Sequence, residues 1–450
     1  MSVHRKDRIS ESRTDGVSLY RKIDLRLLPL LFIGFLFAYL DRVNVGFAKL
    51  QMQSDLGFSD AAYGIGAGIF FVGYVLFEVP SNLLLPRVGA RLTFSRIMVL
   101  WGITSMCMVF VNSIPVFYAL RFLLGVFEAG FAPGVLFYLS RWYGPTRIAG
   151  AISMVWLAGP FSGIVGGPLS AWIMTAFAGT GNLAGWQWMF LIEGAPTLVL
   201  GIAAYFLLAD DPSNAKWLNE AEKRMLAAET TAPVDRRHQS FLTVLRDPKV
   251  YVLAAAYLCI IAPIYALSFW LPTIIKSTGV TSTQALGWYA AIPYVAAAFA
   301  IFFGGRSSDK RRERRHHIAV PALISCLCFI GFYFADSNFA VTLACMAVAT
   351  GMMWMANIVF WAVPAEYIKG DAQAGAIALI NTIGLSGGFF GPSIIGWSKS
   401  MTGSVYPGFL LMAAMLLACA VIFLLLRLRP RTDATLVKEP TIAAGMYRAK

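Results

Sequence analysis

Six ionisable side chains lie inside long apolar runs of the sequence, away from the ends of those runs. They are Asp41, Arg42, Glu78, Arg121, Glu128 and Glu193. A charge in an apolar environment is costly unless it is paired, and inside a membrane such residues usually serve function. Arginine can hold a carboxylate by two parallel hydrogen bonds, and a buried carboxyl can carry a proton. These residue types therefore indicate recognition of an anion combined with movement of a proton.

The elements that must position these residues are membrane-spanning helices. Of the 450 residues, 58% are hydrophobic and 14% are charged, whereas about a quarter of a soluble protein is charged. The apolar residues come in blocks of roughly twenty, which is the length that one helix needs to cross a bilayer. A β-barrel would show alternating segments of about ten residues instead. We predict an all-α polytopic membrane protein with about twelve transmembrane helices in two pseudo-symmetric six-helix bundles.

The predicted spans alternate with short polar loops. They are residues 24–48, 59–85, 92–111, 114–140, 147–177, 186–208, 249–275, 283–304, 317–335, 338–364, 371–397 and 404–427. The chain then divides into an N-terminal tail (1–23), a first bundle (24–208), a central loop (209–248), a second bundle (249–428) and a C-terminal tail (429–450). The central loop is the one long polar insert in this division.

The positive charges are distributed unevenly between the two sides of the predicted membrane. Of the 37 Lys and Arg residues, the odd-numbered loops hold only Lys49, Lys276 and Lys399, and the spans hold Arg42 and Arg121. The remaining 32 lie in the tails, the central loop and the even-numbered loops. This bias predicts a multi-pass protein of the inner or plasma membrane, with both termini and the central loop in the cytoplasm. The net charge of +13 is thus a topology signal, and we expect no nucleic-acid partner.

Other function classes lack the residues they need. The six cysteines all fall within predicted spans and have no metal-ligand spacing with histidine. Three of the four histidines lie outside the spans, His317 is the first residue of one, and no Walker A pattern is present. We therefore predict no enzyme, no metal and no organic cofactor. The polar, basic start of the chain also predicts that no signal peptide is cleaved.

An internal repeat relates the two halves of the chain at a spacing of 225 residues. Gly150, Gly159, Gly163 and Gly166 match Gly375, Gly384, Gly388 and Gly391. Each glycine alone could serve only close helix packing. Four matches in one register indicate duplication, and duplicated bundles around a central site are typical of secondary transporters.

The two arginines are expected at a similar depth in the membrane. At 1.5 Å per residue, Arg42 lies roughly 25 Å along the first span, and Arg121 lies roughly 8 Å from the opposite edge along the fourth. We predict that both face a water-filled central cleft, where they clamp the carboxylate of a substrate. The alternative is that each arginine is neutralised by a nearby carboxylate in a purely structural network.

Asp41 and Glu128 are the candidate proton carriers. If a substrate captures the arginine, the neighbouring carboxyl loses its partner and binds a proton. The alternative is a permanent ion pair that serves only structure. Since Asp41 and Arg42 are adjacent, their side chains diverge by about 100° and should face different partners. We assign Glu78 and Glu193 structural or gating roles.

Six segments spread along nearly the whole chain carry a family resemblance. They are "YLDRVNVGFA", "FEVPSNLLLPRVGAR", "RFLLGVFEAGFAPG", "GWQWMFLIEGAP", "GGRSSDKRRERRHH" and "INTIGLSGGFFGP". The chain resembles the anion:cation symporters of the major facilitator superfamily. That group includes bacterial sugar-acid, tartrate and hydroxyphenylacetate permeases, and is related to sialin and the vesicular glutamate carriers.

The resemblance implies roles for particular residues. In these symporters the arginines that match Arg42 and Arg121 engage the anionic substrate. Asn381 matches a position that hydrogen-bonds the substrate, although a lone Asn in a span can also join helices. Three aromatic residues match cavity positions, although such rings often serve packing instead; they are Tyr39, Tyr74 and Trp361. Four more could line the cleft but are not assigned to it: Tyr265, Ser268, Trp270 and Asn357.

The sequence as a whole predicts a secondary active transporter. We expect proton-coupled import of a small organic anion, such as a sugar acid, tartrate or an aromatic carboxylate, by alternating access. The alternative is a facilitated carrier or an anion exchanger that is not coupled to protons. The expected partners are the anion, protons and the lipid bilayer, and we expect a monomer. The sequence does not identify the anion or the number of protons.

Overall fold

The computed structural model describes residues 3–144, 147–230, 246–335, 338–367 and 372–426. Within these ranges the chain forms helices and no strands. The helices are α1 (Val3–Leu56), α2 (Asp60–Val88), α3 (Ala90–Cys107), α4 (Ile114–Glu128), α5 (Phe131–Trp142), α6 (Ile148–Trp156), α7 (Ala158–Ala176), α8 (Gly185–Leu207), α9 (Glu220–Thr230), α10 (Pro248–Ser277), α11 (Thr283–Arg311), α12 (His316–Tyr333), α13 (Phe339–Phe360), α14 (Ala362–Tyr367), α15 (Ala372–Leu385), α16 (Gly387–Thr402) and α17 (Tyr406–Leu425). Three short 3₁₀ turns cover Met108–Phe110, Thr180–Asn182 and Pro212–Asn214.

Twelve helical segments of the described chain are long and apolar enough to cross a membrane. This agrees with the predicted number of spans and confirms the predicted fold class. The first of these segments begins at Ser18, six residues before the predicted start at residue 24, and α1 itself begins at Val3. The predicted C-terminal tail, 429–450, and residues 231–245 of the central loop lie outside the described residues.

Four of the twelve segments are broken into two helices. The breaks fall between α4 and α5, between α6 and α7, between α13 and α14, and between α15 and α16. The first three breaks each lie about three or four residues before a proline, namely Pro133, Pro160 or Pro364. Proline has no N–H to donate to the carbonyl four residues earlier, so the helix is weakest there. The first break ends α4 at Glu128.

The two ends of the helix bundle can be told apart by their contacts. At one end, which we call the central-loop side, Tyr20 on α1 donates to Glu229 on α9 at 2.5 Å, and the Arg91 N–H donates to Asp210 at 2.8 Å. At the opposite end, which we call the far side, the Trp186 indole donates to Asp55 at 2.9 Å. Helix α1 runs from the central-loop side to the far side, and α2 returns.

Two of the repeated glycines, Gly163 and Gly388, lie where the two halves of the chain meet. A Cβ atom on Gly163 would lie 2.2 Å from the ring of Tyr294, which belongs to the other half. A Cβ atom on its repeat partner, Gly388, would lie 2.6 Å from the ring of Phe71 in the first half. Only glycine leaves room for these rings. The repeat therefore places two related contacts on either side of the interface between the halves.

Candidate functional site

Arg42 lies at the interface between the two halves, near the middle of the bundle. Its guanidinium forms an ion pair with Glu128 at the end of α4. It also donates to the hydroxyl of Tyr265, on α10 of the second half, at 2.9 Å. The side chain of Glu128 is 1% exposed and that of Arg42 is 11% exposed. A cation from one half is thus bound by a carboxylate of that half and by a hydroxyl of the other.

Three aromatic rings surround the same guanidinium. Its Cζ lies 5.1 Å from the ring centroid of Tyr39, 5.3 Å from that of Phe70 and 5.5 Å from that of Tyr74. Ring faces attract cations, and the attraction strengthens when water is excluded. The predicted residues Tyr39 and Tyr74 therefore do lie beside Arg42.

A small cavity adjoins Arg42 and is lined by both halves of the chain. Its wall contains Tyr39, Arg42, Val43, Gly159 and Ser162 from the first half, and Ile264, Tyr265, Ser268, Tyr294 and Trp354 from the second. Its volume is about 10 Å³, which is close to the space that one water molecule needs. An organic anion can therefore reach Arg42 only when the two halves move apart.

Arg121 is placed differently from the sequence expectation. It is fully buried, and it donates to the backbone carbonyls of Gly66 at 3.3 Å and Ala67 at 3.1 Å on α2. It does not line the small cavity. The two arginines therefore do not form the expected clamp in this conformation, because α2 carbonyls hold Arg121 within the closed interface.

Arg121 nevertheless lies one aromatic ring away from Arg42. The Phe70 ring centroid is 5.2 Å from Arg121 Cζ and 5.3 Å from Arg42 Cζ. On another side, Phe269 of the second half lies 5.9 Å from Arg121 Cζ. The Arg121 Nη1 atom is buried and has no hydrogen-bond partner among the described residues. An unpaired guanidinium N–H beside the interface can donate a hydrogen bond to an anion once the ring of Phe269 moves away.

Asp41 points away from Arg42, into the interior of the first half, as their adjacency predicts. It is 1% exposed. It accepts hydrogen bonds from the Trp101 indole at 2.5 Å, the Ser105 hydroxyl at 2.9 Å and the Asn44 amide at 3.1 Å. Within the described ranges these donors are all uncharged. Asp41 is thus not the ion-pair partner of either arginine.

The Asn44 amide connects Asp41 to a second buried carboxyl. Its Nδ2 also donates to Glu193 on α8, at 2.9 Å, and Ser170 donates to the other oxygen of Glu193 at 2.7 Å. Glu193 is 1% exposed. Sequence analysis singled out Glu193 but missed Asn44, whose only signal was a polar side chain three residues after Asp41. One amide thus bridges two buried carboxyls.

The two predicted residues of the second half lie away from the small cavity. Asn381 donates to Glu78 of the first half at 2.8 Å, so this pair joins the halves one helical turn closer to the central-loop side than Tyr74. Trp361 packs against Tyr257, with ring centroids 4.7 Å apart. Tyr265, which was left unassigned, contacts Arg42 directly. The only feature of the sequence that pointed to Tyr265 was its hydroxyl group within a predicted span.

Comparison with known proteins identifies the family. A family model for the Major Facilitator Superfamily matches residues 31–392 and 281–444 of the chain. The chain belongs to the major facilitator superfamily. It is therefore a multi-pass membrane transporter and not an enzyme, as the sequence predicted.

Relatives in this superfamily match over most of their length. A putative tartrate transporter of Agrobacterium vitis is 45% identical over 410 residues, which are 90% of this chain and 94% of the relative. The putative metabolite transport protein NicT of Pseudomonas putida is 44% identical over 414 residues, 91% of this chain and 94% of the relative.

A solved structure shares the fold. It is a bacterial homologue of the human lysosomal transporter Spinster, in an inward-facing and occupied conformation. It superposes with a TM-score of 0.73 at 16% identity and covers 89% of this chain and 96% of its own.

Proposed function

We propose that this transporter imports a small organic anion together with protons. The observation that carries the proposal is the guanidinium of Arg42. It lies between the halves, in a cage of aromatic rings, and among the described residues its one carboxylate partner is Glu128. The relatives named as tartrate transporters favour a carboxylate as the anion. Sugar acids, tartrate and aromatic carboxylates all suit a cation with aromatic walls.

The coupling follows from an exchange of partners at Arg42. A substrate carboxylate that binds the guanidinium displaces Glu128. A buried carboxylate without a cation is costly, so Glu128 then binds a proton. Substrate and proton are carried together, and both leave on the other side when Glu128 pairs with Arg42 again. We assign Asp41, with Asn44 and Glu193, to the same proton movement as a network behind the ion pair.

The remaining predicted residues complete the substrate site when the halves separate. Arg121 supplies its unpaired Nη1, and Tyr39 and Tyr74 form the wall beside Arg42. Asn381 becomes free to bind substrate when its bond to Glu78 breaks, and Trp361 closes that end of the cleft. Residues 24–208 and 249–428 act as the two rocking bundles of a monomer, with both termini in the cytoplasm.

Transport into proteoliposomes tests this function. Labelled tartrate, a sugar acid and an aromatic carboxylate are offered with an inward proton gradient, and again after an ionophore has collapsed the gradient. We expect at least one acid to accumulate above equilibrium only with the gradient. Uptake that reaches equilibrium equally well without it would support the facilitated carrier or exchanger instead. Absence of uptake for the whole panel would contradict an organic-anion substrate.

The role of Arg121 has a separate test. We expect Arg121→Ala to abolish uptake, because the anion loses one of two cationic contacts, while the purified variant keeps its helical circular dichroism. The control is Arg141→Ala, which removes an arginine paired with Asp211 outside the membrane interior and should retain uptake. Full transport by Arg121→Ala would show that Arg121 serves only to hold α2.

A further inference from the structure

A second pocket lies on the far side of the bundle, well away from Arg42. Its volume is about 260 Å³. It is lined by Lys49, Leu50, Gln53, Thr273, Lys276, Ser277 and Lys399. The three lysines are the same three that the sequence places in odd-numbered loops, on α1, α10 and α16. These lysines are more than 100 positions apart in sequence, and folding brings every lysine of those loops to one pocket.

Lys49 is held firmly in the wall of this pocket. It is 2% exposed, and its ammonium lies 2.7 Å from Asp60 and 3.5 Å from the ring centroid of Trp270. It also donates to the hydroxyl of Thr273 at 3.4 Å. A buried ammonium in a fixed position is a preorganised part of a binding site, in contrast to a flexible surface lysine.

The lysines outnumber the carboxylates around them. Lys399 lies 3.4 Å from Asp60, so Asp60 is shared between Lys49 and Lys399. Lys276 is exposed, and no carboxylate lies within ion-pair distance of it in the part of the chain that the structure describes. One carboxylate therefore stands against three lysines, and the pocket has an excess of positive charge. Walls of one charge sign concentrate counter-ions.

The pocket also spans the interface between the halves. Lys49 and Asp60 belong to the first half, and Lys276, Thr273 and Lys399 belong to the second. The contacts Lys49–Thr273 and Asp60–Lys399 therefore join the halves at the far side. An anion in this pocket meets cations from both halves and competes with Asp60 for Lys399.

We propose that this pocket is a binding site for small carboxylate anions, where a dicarboxylate is captured before it reaches the central cleft. The volume accommodates an acid of the size of tartrate, and Gln53, Thr273 and Ser277 supply uncharged hydrogen-bonding groups beside the lysines. Capture here raises the local concentration of the anion and weakens an ion pair that holds the halves together. The choice of tartrate as a probe rests on the proposed function, whereas the site itself rests on the three lysines.

A cysteine placed in the pocket tests the proposal. Ser277→Cys keeps all three lysines and is introduced into a full-length Arg42→Ala chain, which disables the central site. The rate of modification by anionic 2-sulfonatoethyl methanethiosulfonate is divided by the rate of modification by neutral methyl methanethiosulfonate. We call this ratio the anionic preference of the cysteine. Asn112→Cys, exposed in another far-side loop, is the matched control, and the chain without either substitution corrects for the native cysteines.

We expect the anionic preference at Ser277→Cys to exceed that at Asn112→Cys by about tenfold at low salt. Millimolar tartrate should slow the anionic reaction at Ser277→Cys alone. Adding Lys276→Gln should reduce both effects severalfold. Equal preferences at the two cysteines, or no protection by tartrate, would overturn the proposal and leave the lysines as a latch between the halves. If tartrate protects Ser277→Cys but the native chain transports no organic acid in the proteoliposome test, the result would contradict the proposed function while supporting this site.

Discussion

Glu128 and Asp41 are two buried carboxyls of the same bundle with opposite kinds of partner. Glu128 pairs with the guanidinium of Arg42, which adjoins the cavity between the halves. Asp41 accepts hydrogen bonds from Trp101, Ser105 and Asn44, which are uncharged and lie within the first half. Each carboxyl is 1% exposed, so the difference between them is not burial.

The difference shows which carboxyl can respond to substrate. An anion that enters the cavity competes directly with Glu128, because both bind Arg42. No anion can replace Asp41, since indole, hydroxyl and amide donors of the closed bundle hold it. We therefore propose that Glu128 couples protons through exchange of partners, whereas Asp41 takes part through the Asn44 amide that it shares with Glu193. Four substitutions test this comparison, and they follow in decreasing order of expected effect.

Removal of the shared cation should have the largest effect. We expect Arg42→Ala to reduce tartrate uptake by about 100-fold or more, because it removes the anion contact and leaves Glu128 unpaired, a loss of about 3–5 kcal/mol for a buried pair. Initial rates in proteoliposomes measure it. The matched control is Arg26→Ala on the same helix, whose guanidinium stacks on Trp217 at 4.9 Å and should matter little. Comparable losses in both variants would contradict a specific role for Arg42.

Glu128→Gln should separate accumulation from exchange. The amide is permanently uncharged and mimics the protonated carboxyl, so we expect exchange of internal for external substrate to continue within about threefold of the native rate. Gradient-driven accumulation should be lost. Both are measured in the same vesicles, preloaded for exchange and empty for accumulation. Persistent accumulation by Glu128→Gln would show that another group couples the proton.

Asp41→Asn should have a smaller effect on uptake, of about tenfold, because it alters a proton-holding network without removing an anion contact. We expect the maximal rate to fall while the KM for substrate stays nearly constant. Glu193→Gln should act in the same direction, and the double variant should be no worse than Asp41→Asn if the two form one unit. A raised KM for Asp41→Asn would place Asp41 at the substrate after all.

Glu313 is a third carboxyl for comparison, and it lies in the loop between α11 and α12, outside the spans. It accepts from the His316 N–H at 2.8 Å and lies 2.8 Å from the His317 ring nitrogen. Burial alone would raise its pKa, but the hydrogen bonds from His316 and His317 together lower the pKa to about 2. Because its pKa is lowered in the folded protein, the charged form contributes stability that is present above pH 4.5 and is lost as the pH falls towards 2.

We therefore expect Glu313→Gln to have the smallest effect of the four. Uptake should change by less than about twofold, since an exposed helix cap contributes only about 1 kcal/mol or less. Thermal unfolding should be slightly easier than for the native chain at pH 7, and the difference should shrink as the pH drops below 4.5. A transport defect as large as that of Asp41→Asn would show that Glu313, although it lies outside the spans, is needed for transport.

The class of the molecule, and the half that carries the buried charges, could be predicted from the sequence. Apolar blocks long enough to span a bilayer leave only the helical solution, since lipid offers no partners for backbone groups. The same scarcity of partners makes a charge inside a span conspicuous, so Asp41, Arg42, Arg121 and Glu128 could be selected before their surroundings were known. The glycine repeat likewise predicted two related bundles.

The pairing of these charges could not be predicted and is seen first in the folded protein. Helical periodicity places Arg42 and Arg121 at similar depths, but it does not say that Phe70 separates them or that Tyr265 of the other half reaches Arg42. The three far-side lysines showed their common pocket only after folding. Pairing depends on rotations and contacts between helices that are distant in sequence, and these are set by packing of whole surfaces rather than by any local pattern.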